Sequence, residues 1–137
     1  MLRTAAGTIE TTGSDSATSK YIFCQVPSNA LVKDVLLSCD GNNTSGAMDI
    51  GIYQTTANGG AVVDADFFAS AQALGTALKR SSVVHESGVY GIEDIEKPLW
   101  QALGLSSDDN RMYDVVGTIT TADDAADTVS IEVHYQL

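Results

Sequence analysis

The stretch MDIGIYQTTANGGAVVDADFF, Met48–Phe68, decides the fold class of this chain. Its first half alternates as a strand does, so that Met48, Ile50 and Ile52 share one face. The strand breaks at Asn58-Gly59-Gly60, where the glycines allow the backbone to turn. No nucleophile, metal cluster or phosphate-binding loop lies in the stretch. Its signal is therefore architectural, and it indicates a sheet protein.

Strand patterns recur on both sides of this stretch. They are predicted at Lys20–Val26, Leu31–Cys39, Ala47–Gln54, Leu78–His85, Arg111–Thr120 and Thr128–Leu137. In the second of these, Leu31, Val35, Leu37 and Cys39 are expected on one face, and in the first Ile22, Cys24 and Val26 are. Both cysteines are accordingly predicted to be buried thiols that act as small hydrophobic side chains.

Two short helical segments are predicted between the strands. Asp64 suits a helix N-cap, so Asp64–Ala71 is predicted to be a short helix that buries Phe67 and Phe68. Pro98–Leu103 is predicted to be a second one, because proline is tolerated in the first turn of a helix.

The elements together predict an all-β protein. Polar-outward alternation and the absence of a βαβ rhythm favour an antiparallel two-sheet sandwich of jelly-roll type with one or two short helices. Residues 1–19 are predicted to be a flexible N-terminal arm or an edge strand, and residues 20–137 a single β-sandwich domain.

Charge excludes several classes of partner. The net charge is −11, and no lysine or arginine follows Arg111. Nucleic acid and anionic membrane surfaces are therefore unfavourable partners. No apolar run approaches the ~18 residues that a membrane-spanning helix needs, and the N-terminal residues lack the apolar stretch of a secretory signal, so a cytoplasm-like compartment is expected.

The residues that could carry chemistry have simpler explanations. His134 lies on the polar side of the last predicted strand, His85 adjoins Glu86 near a turn, and no serine lies in a G-x-S-x-G elbow. Asp40-Gly41-Asn42-Asn43 lacks the ligand offsets of an EF-hand, which leaves only a weak structural calcium site open. We expect no catalytic residue, no cofactor and no metal, and therefore not an enzyme.

Four segments carry a family resemblance. They are YIFCQVPSNALVKDVLL (21–37), DIGIYQTTANGGAVVDADFFAS (49–70), GVYGIEDIEKPLWQALGLSSDDNRMYDVVGTI (88–119) and TVSIEVHYQL (128–137). NGGAVVDADFFAS and KPLWQALGLS are the most specific parts. In these segments the chain resembles small structural proteins of tailed bacteriophages, which are encoded with the major capsid protein and are similar to head decoration, or cement, proteins.

The resemblance implies a function. A decoration protein binds the outer face of the capsid, ties neighbouring major capsid protein subunits together and forms dimers or trimers. It belongs to the virion, and to the host cytoplasm during assembly. The alternatives are another minor virion component, such as a head–tail connector or fibre part, and a carbohydrate-binding jelly roll that uses Trp100 and surface tyrosines.

A few residues are candidates for partner contact. Cations are scarce on this acidic chain, so those that are present would steer docking onto an acidic partner. Trp100 is either core or subunit interface, or a platform for a sugar ring. The candidates are Arg3, Lys20, Arg80, Trp100 and Arg111.

Overall fold

Eight antiparallel strands form two four-stranded sheets in the computed structural model, which describes residues 1–137. The strands are β1 Leu2–Glu10, β2 Lys20–Pro27, β3 Leu31–Cys39, β4 Ala47–Gln54, β5 Val62–Ala73, β6 Leu78–Ser82, β7 Met112–Thr121 and β8 Thr128–Gln136. A single four-residue α-helix, α1 Leu99–Ala102, and two 3-10 turns, Thr56–Asn58 and Ile92–Asp94, lie in the connections. No helix is long and apolar enough to cross a membrane.

The strand order is that of a jelly roll. One sheet has the order β1-β8-β3-β6, and we call it the polar sheet. The other has the order β2-β7-β4-β5, and we call it the grooved sheet after the surface depression described below. Strand β1 pairs with β8, β2 with β7, β3 with β6 and β4 with β5, so the four antiparallel pairs are nested in sequence. The β3–β8 and β4–β7 pairs then join these ribbons into sheets. The predicted fold class is confirmed.

The hydrophobic core lies between the two sheets. The fully buried residues include Met48, Ile50, Ile52 and Val115 from the grooved sheet, and Val35, Leu37, Val129, Ile131 and Val133 from the polar sheet. Each such side chain stabilises the fold by about 1.5–3 kcal/mol relative to an exposed one. The alternation predicted for Met48–Ile52 is therefore confirmed as a core face.

Most of the predicted elements are present. Strands β3 and β4 have the predicted bounds, and β2, β7 and β8 differ from theirs by a residue at one or both ends. Strand β6 is shorter than predicted, because the chain leaves the sheet at Ser82 and buries Val83 and Val84 in the following connection. The predicted helix near Pro98 is confirmed as α1, with Pro98 as its N-cap.

The predicted helix at Asp64–Ala71 is wrong. These residues belong to β5, where Ile50 of β4 pairs with Ala69 and Ile52 pairs with Asp64. Between these two pairs β5 advances by five residues and β4 by only two, so the extra residues of β5 form a bulge. Within this bulge the consecutive side chains of Phe67 and Phe68 are both buried. Pairing with β4 overrides the local capping signal, which depended only on nearby residues.

Bulges also change the predicted faces of two strands. The register of β2 shifts between Ile22 and Cys24, so Phe23 is buried whereas Ile22 is 54% exposed. A shift in β3 after Val32 buries that residue, while Leu31 is only partly buried. Both cysteines are free thiols; Cys39 is buried as predicted, but Cys24 is only partly buried.

The N-terminal segment is tied to the sandwich. Residues Leu2–Glu10 form β1, an edge strand paired along its whole length with β8. In the following loop, Thr11 donates its N–H to the carbonyl of Asp127 at 2.9 Å, and Thr18 donates to the carbonyl of Ile119 at 2.8 Å. The edge strand, rather than an arm, is thus the structure of residues 2–10.

Candidate protein-docking surface

Two adjoining cavities mark the outer face of the grooved sheet. Their volumes are about 160 and 360 Å³, and they share Ile22, Thr56 and Asp114 in their walls. We call the combined depression the outer groove; its principal lining residues are Lys20, Ile22, Tyr53, Met112, Asp114 and Val116. In this groove, apolar side chains surround a single acidic residue, Asp114.

Strand geometry explains which side chains reach the groove. Alternation along β7 sends Tyr113 and Val115 into the core, and Asp114 and Val116 outward. The bulge in β2 exposes Ile22 beside them.

The turn after β4 forms one wall of the groove. Gly59 and Gly60 have φ angles of 100° and 67°, values that glycine adopts without strain. Their N–H groups donate to the carbonyls of Thr56 and Thr55, respectively. The predicted Asn58-Gly59-Gly60 turn is confirmed.

Asp114 is the unusual residue of the outer groove. It is only 3% exposed, and its Oδ1 atom has no hydrogen-bond partner. Burial raises the pKa of its carboxyl group, while a hydrogen bond from the Gln25 side chain opposes the shift. A buried carboxylate without full pairing is costly, because the protein interior solvates charge poorly. The groove therefore contains an acceptor atom that nothing in the chain satisfies.

Lys20 lies at the rim of the groove. Its ammonium nitrogen is 5.1 Å from the centre of the Tyr53 ring, a cation–π arrangement. The Tyr53 hydroxyl lies 3.2 Å from the hydroxyl of Thr118. Lys20 forms no ion pair, so its charge remains available near the groove but is not placed on Asp114.

The outer face of the polar sheet has a different character. Its polar side chains pair with one another: the hydroxyls of Thr8 and Ser130 are 2.7 Å apart, and Ser82 donates to Asp34 at 2.6 Å. Arg80 lies 2.9 Å from Glu132. A face whose polar groups are already satisfied has less to gain from a partner than the outer groove does.

The predicted contact residues do not converge on one site. Lys20 lines the groove, and Arg111 lies near it, 3.4 Å from the Gln54 side chain. Arg3 and Arg80 lie on β1 and β6, the opposite edges of the polar sheet. Trp100 is half-buried in α1, where its backbone N–H donates to the carbonyl of Ser28.

Asp114 is not among the residues that the sequence predicts for the site. An acid in the middle of the apolar run MYDVVGTI was a usable signal, because such runs are typical of strands covered on both faces. The position of Asp114 between Ile22 and Val116, however, depends on pairing between strands that are distant in sequence.

The histidines do not form a catalytic arrangement. The His85 ring stacks on Tyr90 with centroids 5.7 Å apart, and its Nδ1 lies 2.8 Å from the Tyr90 carbonyl. Glu86 instead accepts the N–H of Ser70. The His134 side chain is 21% exposed and lies 3.7 Å from Glu132.

Aspartates hold together the loops at one end of the sandwich. Asp123 accepts the N–H of Asp15 at 2.7 Å, and Asp127 accepts the N–H of Asp40 at 3.1 Å. Burial, followed by the contact with the Asp40 carboxylate, raises the pKa of Asp127 to about 6. No group of three or more His, Cys, Asp or Glu side chains is placed to hold a metal ion. These aspartates instead connect neighbouring loops by accepting their backbone N–H groups.

Fold and surface together define an eight-stranded jelly roll with one polar sheet face and one grooved sheet face. No protein-family model and no curated protein sequence matches the chain. A solved chain from the "Cyanophage Pam1 capsid asymmetric unit" has a similar structure, with a TM-score of 0.60 and 17% identity. The match covers 99% of this chain and 84% of that one. At this identity, the similarity shows the fold.

Proposed function

We propose that this protein is a bacteriophage capsid decoration protein and not an enzyme. It binds the outer surface of the head and stabilises contacts between major capsid protein subunits. The observation that carries the proposal is the jelly roll, which is shared over 99% of the chain with a chain of a phage capsid assembly. The four segments that resemble phage head proteins lead independently to the same class.

The surface of the protein suits this role. A capsid-binding protein needs a docking face rather than a catalytic centre, and the outer groove offers the exposed apolar side chains of Ile22 and Met112. An acidic exterior also keeps the protein away from packaged DNA. Because many copies bind one shell, modest contacts per copy are enough to reinforce it.

Co-sedimentation tests the proposal directly. The full chain is mixed with expanded heads assembled from the major capsid protein of the same virus, across a range of salt concentrations. We expect saturable binding with a copy number that scales with the number of capsomers, together with greater resistance of the heads to heat. An acidic jelly roll of similar size from a non-viral source serves as the control.

Two results would redirect the proposal. Binding limited to one ring of copies per head would indicate a neck or connector component. Absence of binding at every salt concentration, together with glycan binding that Trp100→Ala abolishes, would indicate a carbohydrate-binding module. Analytical ultracentrifugation of the free protein tests the expected dimer or trimer separately.

A further inference from the structure

We propose that the outer groove binds a lysine or arginine side chain of a partner protein, flanked by apolar residues, with the cation facing Asp114. The proposal deepens the proposed function, because it assigns the chemistry of the capsid segment that docks. It follows from three properties of the groove: an unsatisfied acid, apolar walls and a shortage of cations within the chain itself.

The unsatisfied acid defines the ligand charge. Asp114 Oδ1 is buried and has no donor, although both cavities reach its residue. A donor brought by a partner would satisfy this atom inside a poorly solvating environment, where a charged hydrogen bond is strongest. Burial also raises the pKa of this carboxyl group in the free protein. A bound cation would act in the opposite direction.

The walls define what flanks the charge. Ile22 is 54% exposed and Met112 is 41% exposed, and both adjoin Asp114 in the larger cavity. Val116 and Tyr53 line the smaller cavity together with Lys20, whose ammonium group lies over the Tyr53 ring and not on Asp114. Apolar side chains on both sides of the acid fit a ligand whose charged tip is carried on an aliphatic stem.

The charge balance of the chain argues against a second copy as the occupant. The chain has 18 acidic and only 7 basic residues. Four of the basic residues already face acids of their own chain: Lys33, Arg80, Lys97 and Arg111. Two copies would also repel each other, since each carries −11. A different, more basic protein segment is the better complement.

A peptide titration tests the inference without capsids. The probe is acetyl-Leu-Arg-Leu-amide, and its control is the same peptide with neutral citrulline in place of arginine. Binding to the full chain is followed by amide chemical shifts. We expect the largest changes around Ile22, Asp114 and Val116, and affinity at least about tenfold higher for the arginine peptide.

Matched variants identify the acid. Asp114→Asn is close in shape and is expected to remove the preference for arginine over citrulline. Glu96→Gln makes the same change in net charge at a side chain that is 86% exposed, and should leave the preference intact. Ile22→Ser removes an apolar wall at an exposed position without adding charge, so it should weaken both peptides and keeps the test informative if Asp114→Asn is unstable.

The outcomes separate this inference from the proposed function. Equal binding of the two peptides, shifts centred elsewhere, or no binding of the arginine peptide at millimolar concentration would overturn the groove assignment. Heads that bind the wild-type protein and the Asp114→Asn variant equally would also overturn it, while leaving the decoration role standing. Arginine-peptide binding without head binding would support the groove and remove the capsid role.

Discussion

The Tyr90 hydroxyl lies 2.7 Å from the carbonyl oxygen of Val32 and donates a hydrogen bond to it. Tyr90 belongs to the long connection between β6 and β7, and Val32 to strand β3. The tyrosine is fully buried, and its ring packs against Phe67 and Phe68 of β5. One side chain thus fixes the connection to both sheets.

Tyr90→Phe should lower the free energy of unfolding by about 1–2 kcal/mol, because it leaves the Val32 carbonyl without its buried donor. Urea denaturation measures the change. Tyr135→Phe is the control, since the Tyr135 hydroxyl makes no hydrogen bond within the chain and only part of the side chain is buried. Similar losses in the two variants would contradict the assigned role of the Tyr90 hydroxyl.

Gly7 allows the edge strand β1 to lie against β2. A Cβ atom at this position would be 1.7 Å from the carbonyl oxygen of Phe23, which is backbone and cannot move aside. Gly7→Ala should therefore destabilise the fold by about 3 kcal/mol. Ala6→Val adds more atoms at the neighbouring exposed position and should change the melting temperature little. A harmless Gly7→Ala would be inconsistent with this close approach.

Ala71 has a φ angle of +49°, which is unfavourable for a residue with a Cβ atom. Ala71→Gly should relieve the strain and stabilise the protein by about 0.5 kcal/mol, after the entropic cost of glycine. Ala73→Gly, also exposed and in the same strand, has no such strain to relieve and should destabilise by a similar amount. Thermal unfolding of both variants would show opposite signs, and equal signs would refute the argument.

Asp127 gives stability a predictable pH dependence. Its pKa in the folded chain is about 6, above the ordinary value of 3.8, so the folded state binds more protons between these limits. The associated stability is fully present below pH 4 and is lost as the pH rises through 6. The lowered pKa of Asp40 acts in the opposite sense, but only at more acidic pH.

Asp127→Asn removes the titrating group while its Oδ1 can still accept the N–H of Asp40. At pH 7.5 the variant should be more stable than the wild-type protein by about 1–3 kcal/mol, and it should lose less stability than the wild-type protein between pH 4 and 6. Asp124→Asn is the control, because Asp124 is exposed and hydrogen bonding with Thr44 lowers its pKa. A variant that keeps the wild-type pH profile would exclude Asp127 as its source.

The sequence predicted those strands whose partners impose regular alternation. In β8, Val129, Ile131 and Val133 are buried at every second position, as their spacing predicts. In β5 the same approach failed, because its bulge opposite Ile50–Ile52 buries two consecutive phenylalanines. Gly51 makes room for that bulge: a Cβ atom there would lie 2.2 Å from the carbonyl oxygens of Asp64 and Ala65.

The outer groove was less predictable than the fold. Lys20 was a candidate contact residue because cations are scarce, and its place in the outer groove leaves that role a prediction. Asp114 could not be placed beside Ile22 from the sequence, because that proximity depends on the pairing of β2 with β7 and on a bulge in β2. Surfaces assembled across strands require the register, which local patterns do not contain.

The nested strand pairing has a consequence for how the chain folds. Strands β4 and β5 are joined by a short turn, whereas Leu2 pairs with Gln136 at the opposite end of the chain. Loop-closure entropy therefore favours pairing from the innermost ribbon outward. Pulse-labelled hydrogen exchange should show amides of β4 and β5 protected before those of β1. A chain still being synthesised cannot complete the polar sheet until its final strand is available, so β3 would remain without its β8 partner until then.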